Sequence, residues 1–115
     1  MDNCIFCKIV KKEIRATILY EDEKIIAFND INPQAPIHVL AIPKKHVANI
    51  HELVGHERPL LTGGLIEVLG QVASDLKIDK LGFRIVLNSG PDGGQEVQHL
   101  HCHLLAKRQM RWPPG

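Results

Sequence analysis

Apolar positions recur with two different periods along this chain, and the periods predict its elements. Ile18-Leu19-Tyr20 and Lys24-Ile25-Ile26-Ala27-Phe28-Asn29 are short runs of strand-forming residues around the polar turn Glu21-Asp22-Glu23, which reads as a β-hairpin. Asp30-Ile31-Asn32-Pro33-Gln34-Ala35-Pro36 is expected to be a loop, because each proline lacks an N–H and disfavours helix at the residue before it. A third strand, Ile37-His38-Val39-Leu40-Ala41-Ile42, is expected to stop at Pro43, and Phe83-Arg84-Ile85-Val86-Leu87-Asn88 is a fourth. From His51 to Leu76 the spacing changes to three and four: Leu60, Leu61, Leu65, Ile66, Leu69, Val72, Ala73 and Leu76 predict one long helical region, with Pro59 in its first turn. Gly63, Gly64 and Gly70 inside it each cost about 1 kcal/mol relative to Ala, so they are expected to allow close approach to the sheet. Residues Cys4 to Glu13 read as a helical turn or two with Ile5, Phe6, Ile9 and Val10 inward. Strands in runs without β-α-β alternation, plus one long and one short helix, indicate an α+β domain on an antiparallel sheet.

A second alternation carries chemistry. In His99-Leu100-His101-Cys102-His103-Leu104-Leu105, imidazoles occupy every second position, so an extended backbone points all three to one face and Leu100, Cys102 and Leu104 to the other. Each buried imidazole brings two nitrogens that need partners, which makes simple packing a poor explanation. Metal ligation, acid/base or nucleophilic chemistry, and a polar exposed face stay open from the residues alone. The turn-rich loop Ser89-Gly90-Pro91-Asp92-Gly93-Gly94-Gln95 leads into this strand and can bring backbone N–H groups to the same site. The tail from Lys107 to Gly115 contains prolines that exclude a regular element.

At 115 residues the chain is expected to be one domain, 1–115. Its formal net charge of +1 gives no field that would argue for nucleic acid or an anionic membrane as partner, so function must come from a local site. No apolar run approaches bilayer length, and Met1-Asp2-Asn3-Cys4 has no basic region followed by an apolar one, so a cytoplasmic location is expected. Cys4, Cys7 and Cys102 fit a reducing compartment. The Cys4-x-x-Cys7 spacing suits two thiolates on one zinc ion but supplies half of a tetrahedral shell; two small buried side chains are the alternative.

The histidine stretch resembles the signature of the histidine triad family at every position. The resemblance extends through Asp30-Ile31-Asn32-Pro33-Gln34-Ala35-Pro36, His38, Ile42-Pro43-Lys44-Lys45-His46 and Gly93-Gly94-Gln95-Glu96-Val97. The closing Arg108-Gln109-Met110-Arg111-Trp112-Pro113-Pro114-Gly115 is similar to the C-terminus of the Hint branch, the nucleoside phosphoramidases. The resemblance implies a five-stranded antiparallel sheet per subunit, joined into ten strands in a homodimer, and a purine nucleotide substrate hydrolysed at its α-phosphate.

Residue by residue, the resemblance makes His101 the nucleophile, with His103, Asn88, Gln95 and N–H groups of the Gly93-Gly94 loop as phosphate donors. His38 is the supporting histidine that could relay a proton. Asp30 matches the residue that binds the ribose hydroxyls, Ile31 and Phe28 could flank the purine, and Gly94 and Val97 complete the nucleotide site; for Phe28 a core position is the alternative. Glu96 departs from the serine of animal members and matches bacterial-type ones. Members with an N-terminal Cys-x-x-Cys bind structural zinc, which here implies Cys4, Cys7, His46 and His99 as ligands, a closed shell with no open position for substrate. The tail with Trp112 would reach the partner's active site; a surface-packed end is the alternative. Cys102 is expected in the core, and His51 and His56 in solvent. Cleavage of dinucleoside polyphosphates, a nucleotide-binding interaction protein with incidental hydrolysis, and a hydrolase with all three triad histidines on one metal are the competing functions.

Overall fold

The computed structural model describes residues 3–115; Met1 and Asp2, part of the N-terminal reading above, lie outside them. The elements run α1 (Ile5–Val10), β1 (Ile18–Glu21), β2 (Ile25–Asn29), β3 (Ile37–Pro43), a 3₁₀ turn (Ile50–Glu52), α2 (Glu57–Asp75), β4 (Phe83–Val86) and β5 (Cys102–Ala106). The five strands form one antiparallel sheet in the order β1-β2-β3-β5-β4, as the α+β reading requires. The first hairpin turns because Asp22 Oδ1 accepts from the N–H groups of Lys24 and Ile25 at 2.7 and 2.8 Å, a side-chain substitute for a backbone turn.

The predicted long helical region is divided. Gly55 takes a positive φ of 58°, which breaks the chain between the 3₁₀ turn and α2. At the other end Lys77 is left-handed (φ 60°), and Ile78 N–H donates to Ala73 O at 3.0 Å, which satisfies a terminal carbonyl while Ile78 is buried. Within α2, Leu61, Leu65, Val68, Leu69, Val72 and Ala73 face the sheet. Leu60, Ile66 and Leu76, expected in that stripe, are exposed (53%, 47% and 36%), and Val68 takes an inward place that the spacing alone missed. Only one of the three helix glycines touches the sheet: a Cβ at Gly64 would lie 2.8 Å from Ile25 Cδ1, whereas Gly63 and Gly70 face open space.

Both faces of the sheet are covered. On one, α2 packs over Ala27, Val39, Ala41, Leu100, Cys102 and Leu104; on the other, α1 lays Phe6 and Ile9 against Ile26, Phe28, Leu40 and Ile42. Ile5, expected inward, is largely exposed. Strand pairing of β5 begins at Cys102, so His99 and His101 stand on the extended approach to it, where Leu100 N–H donates to Val47 O at 2.7 Å. The period-two alternation holds regardless: Leu100, Cys102 and Leu104 sit in the α2 core, and the histidines lie on the α1 face. Likewise β4 ends at Val86 rather than Asn88.

Candidate active site and metal centre

β3 and β5 are neighbours with Leu40 opposite His103, and this register sets His38 beside the triad. The hydrogen-bond partners fix which ring nitrogen carries a proton. Gln34 N–H donates to His38 Nδ1 at 3.0 Å, so in the neutral ring His38 Nε2 holds the hydrogen. That nitrogen is 2.8 Å from His103 Nδ1, which therefore accepts, and the proton of His103 sits on Nε2. His103 Nε2 is buried and, among the described residues, is the one buried side-chain nitrogen or oxygen without a partner. A donor held this way, with nothing to meet it, points to an acceptor supplied by a ligand.

His101 shows the opposite edge. Its Nδ1 lies 2.7 Å from the His99 carbonyl, which can only accept, so the neutral ring leaves Nε2 with a bare lone pair. The His101 and His103 rings are 4.9 Å apart between centroids. Burial, and then the neighbouring His101 and His38, push His103 down to about 4, and burial lowers His38 against the opposing pull of Asp30. At neutral pH these two rings are therefore uncharged, as the proton assignment needs. One carboxylate oxygen of Asp30 accepts from Asn32 N–H at 2.8 Å, and the other is 3.4 Å from His38 Nε2.

A cavity of about 520 Å³ gathers His38, His101 and His103 with Asp30, Ile31, Asn88, Gly94, Glu96 and Val97. A second, of about 610 Å³ and largely apolar, adjoins it through Ile5, Phe6, Asp30, Ile31 and Leu40 and adds Ile9, Ile14 and Phe28. Phe28 is thus 2% exposed in the core, edge-on to Phe6 at 5.6 Å, and also a wall of this second cavity. Phe6 and Leu40, expected from the sequence only as an inward helix residue and a strand residue, line both cavities. The only hint was Phe6 lying inside the Cys4-x-x-Cys7 motif.

Gln95 is placed otherwise than expected. Its Nε2 donates to Ala48 O (2.6 Å) and Val97 O (3.0 Å), and its Oε1 accepts from Gly90 N–H (3.0 Å), so its whole amide is committed to holding backbone together. No donor of this side chain remains for a phosphate. Trp112 is 82% exposed and lines neither cavity, while its neighbour Arg111 is tied to β4 by Arg84 Nη2 donating to the Arg111 carbonyl at 2.9 Å. His51 and His56 are exposed.

His99 belongs to a different cluster. Its Nε2 donates to Pro43 O at 2.8 Å, which leaves Nδ1 bare in the neutral ring. That Nδ1 lies 3.3 Å from Cys4 Sγ, 3.5 Å from Cys7 Sγ and 3.2 Å from His46 Nδ1, and Cys7 Sγ is 3.3 Å from His46 Nδ1. Edges of a tetrahedron around zinc with two sulfur and two nitrogen ligands run about 3.3–3.8 Å, so the four atoms fit that ion. Burial and then Cys4 push the Cys7 thiol up to about 11, so a cation among these atoms is what would hold it as thiolate at neutral pH. The three triad histidines do not converge on one point: His99 joins the cysteines, and His103 joins His38 and Asp30, which removes the reading with all three on a single metal.

Among known proteins, a family model described as the HIT domain matches residues 11–110. A 14 kDa zinc-binding protein of Zea mays is 50% identical over 112 residues, covering 96% of this chain and 87% of that one. An uncharacterized HIT-like protein of Synechococcus elongatus is 46% identical over 114 residues, covering 99% and 98%. Of the solved structures, a HIT family hydrolase from Legionella pneumophila superposes with a TM-score of 0.90 at 50% identity, covering 98% of this chain and all of that one. A histidine triad protein from Clostridium difficile gives 0.91 at 42% identity, with 96% of each covered.

Proposed function

The chain belongs to the HIT family, and from that premise we propose that it hydrolyses purine nucleoside 5′-phosphoramidates, of the AMP-amine and aminoacyl-adenylate type, at the α-phosphate. The observation that carries this is the pairing, in one cavity, of a bare His101 Nε2 with an unpartnered His103 Nε2–H. His101 Nε2 attacks phosphorus, the P–N bond breaks, and the leaving nitrogen takes a proton from solvent as it departs as the free amine. Water then cleaves the covalent nucleotidyl-histidine bond and releases the nucleoside monophosphate, which splits one hard displacement into two. His103 Nε2–H meets the charge that grows on the phosphoryl oxygens, joined by Asn88, while Gly94, whose N–H donates to Pro91 O at 3.1 Å, shapes the loop that lines the same cavity. His38 holds the proton of His103 at the right nitrogen. Asp30 binds the ribose hydroxyls where the two cavities join, Ile31 and Phe28 flank the base, and Val97 closes the site.

Cys4, Cys7, His46 and His99 would hold Zn²⁺, supported by their spacing and by the Zea mays relative described as zinc-binding. When bound, zinc ties α1 to the sheet and leaves the phosphorus chemistry to the histidines. The proposed working unit is a homodimer. It is supported by the open edge of β4, with Phe83 exposed, and by Leu60, Gly63, Ile66 and Gly70 on the uncovered side of α2. The exposed Trp112 tail would then complete the partner's leaving-group pocket. Residues 1–115 act as one domain, and no described helix is long and apolar enough to cross a membrane.

Turnover of an adenosine 5′-phosphoramidate tests the assignment. Wild type is expected to hydrolyse it through an adenylyl adduct on His101 visible by mass spectrometry, and His101→Ala to lose at least about a thousandfold in kcat/KM. AMP binding without turnover would replace the enzyme by a nucleotide-binding protein, and faster cleavage of dinucleoside polyphosphates would move it to another branch of the family.

A further inference from the structure

The three cysteines live in unlike surroundings. Cys102 is fully buried on the α2 face, and burial pushes its thiol up to about 11. Cys4, by contrast, is half-buried and lines an open cavity of about 440 Å³ with Asn3, Ile5, His46, Glu96 and Gln98. Cys7 is buried behind it, with its N–H donating to Cys4 Sγ at 3.2 Å. Cys4 caps α1 and Cys7 sits in its first turn, the Cys-x-x-Cys arrangement that disulfide oxidoreductases use to close and open a bond between neighbouring sulfurs. Oxidation follows thiolate character and exposure. Zinc would provide the first, and the cavity provides the second at Cys4.

We propose that Cys4 and Cys7 form a peroxide-sensitive pair whose oxidation to a disulfide discharges the zinc and loosens α1 from the histidine strand; this rests on the zinc assignment above. The Cys4 thiolate attacks one oxygen of hydrogen peroxide, the O–O bond breaks, hydroxide leaves, and Cys4 becomes a sulfenic acid. The Cys7 thiolate then attacks the Cys4 sulfur, the S–O bond breaks, and a second hydroxide leaves. Two protons turn the hydroxides into water, and the two electrons lost by the sulfurs are those gained by the peroxide. His46 and His99 remain as two neutral ligands, too few to retain the ion.

The consequence reaches the catalytic cavity by two short routes. Phe6, carried by α1 between the two cysteines, packs its ring 5.2 Å from His101 and 5.9 Å from His99. The carbonyl of His99 is also the acceptor that fixes the His101 proton on Nδ1. Freeing the zinc end of α1 removes the restraint on both.

The experiment treats the full-length zinc-loaded protein with hydrogen peroxide and follows metal release with a chromogenic chelator and the thiols by alkylation and peptide mass. The expected result is release of the zinc in step with a Cys4–Cys7 disulfide lacking two hydrogens, Cys102 still alkylated after denaturation, a lower Tm, and recovery on adding dithiothreitol with zinc. Cys102→Ala is expected to release zinc and form the Cys4–Cys7 disulfide in step, as wild type does, whatever its starting Tm. Retention of zinc under peroxide that oxidises a free Cys-x-x-Cys peptide, or release without the disulfide, would overturn the proposal while leaving the zinc assignment intact. A protein that takes up no zinc overturns the assignment itself.

Discussion

His99 and His101 are two residues apart, both buried and both on the α1 face, yet they offer opposite edges. His99 spends its Nε2–H on the Pro43 carbonyl and presents Nδ1 to two sulfurs and a second imidazole. His101 spends its Nδ1–H on the His99 carbonyl and presents Nε2 to the cavity that it shares with His103. The difference lies in which backbone carbonyl each ring reaches, not in residue type or solvent exposure. In the proposed scheme, a backbone acceptor is therefore what turns one imidazole toward the zinc ligands and its neighbour toward the substrate cavity.

The largest expected effect splits the two. His99→Ala should abolish zinc binding measured by metal analysis and lower Tm by about 10 °C or more, because binding energy of the metal is folding energy here. His101→Ala should keep its zinc, with a smaller fall in Tm from the vacated place beside Phe6, while turnover disappears. A His101→Ala protein that loses its metal would erase the distinction between the rings.

A smaller effect is expected at His38, which touches neither zinc nor phosphorus in this scheme. His38→Ala leaves His103 Nδ1 without its donor, so the proton of His103 is free to occupy either nitrogen. kcat is expected to fall about 10- to 100-fold with KM nearly unchanged, and His38→Gln, which can still donate, to recover part of it. A rise in KM alone would assign His38 to binding instead.

The smallest effect is in pH. His103 is held at about 4 in the fold against an ordinary 6.5, so between these values the unfolded chain binds more protons than the folded one. Stability is therefore complete above about 6.5 and declines as pH falls toward 4. Wild-type Tm should drop by a few degrees over that range from this residue, and the drop should be shallower in His103→Asn, measured by thermal melts.

Much of this was legible in the sequence, for a physical reason: a period of two survives whether or not the strand is regularly paired. His99 and His101 lie outside the ladder of β5, and their faces still came out correctly. The hairpin and the α+β class followed from equally local rules. Less local features did not. The family resemblance makes Gln95 a phosphate donor, but its amide hydrogens go to Val97 O, two residues on, and to Ala48 O, a contact set by how distant loops meet. The helix spacing could not foretell that Gly55 would interrupt the region, or that Ile66 would turn outward while Val68 turned in. The gathering of His46 with Cys4, Cys7 and His99 came from the family resemblance rather than from any spacing along the chain.

The alternation in the histidine stretch has a consequence for how such a protein can change. Leu100, Cys102 and Leu104 meet α2 on one side of the sheet, and the histidines meet α1 on the other. The backbone acts as a partition, so substitutions that repack one side need not disturb the other. A designer could rebuild the α2 side for heat tolerance, or graft new specificity onto the cavity walls at Ile5 and Ile31, as two nearly independent modules.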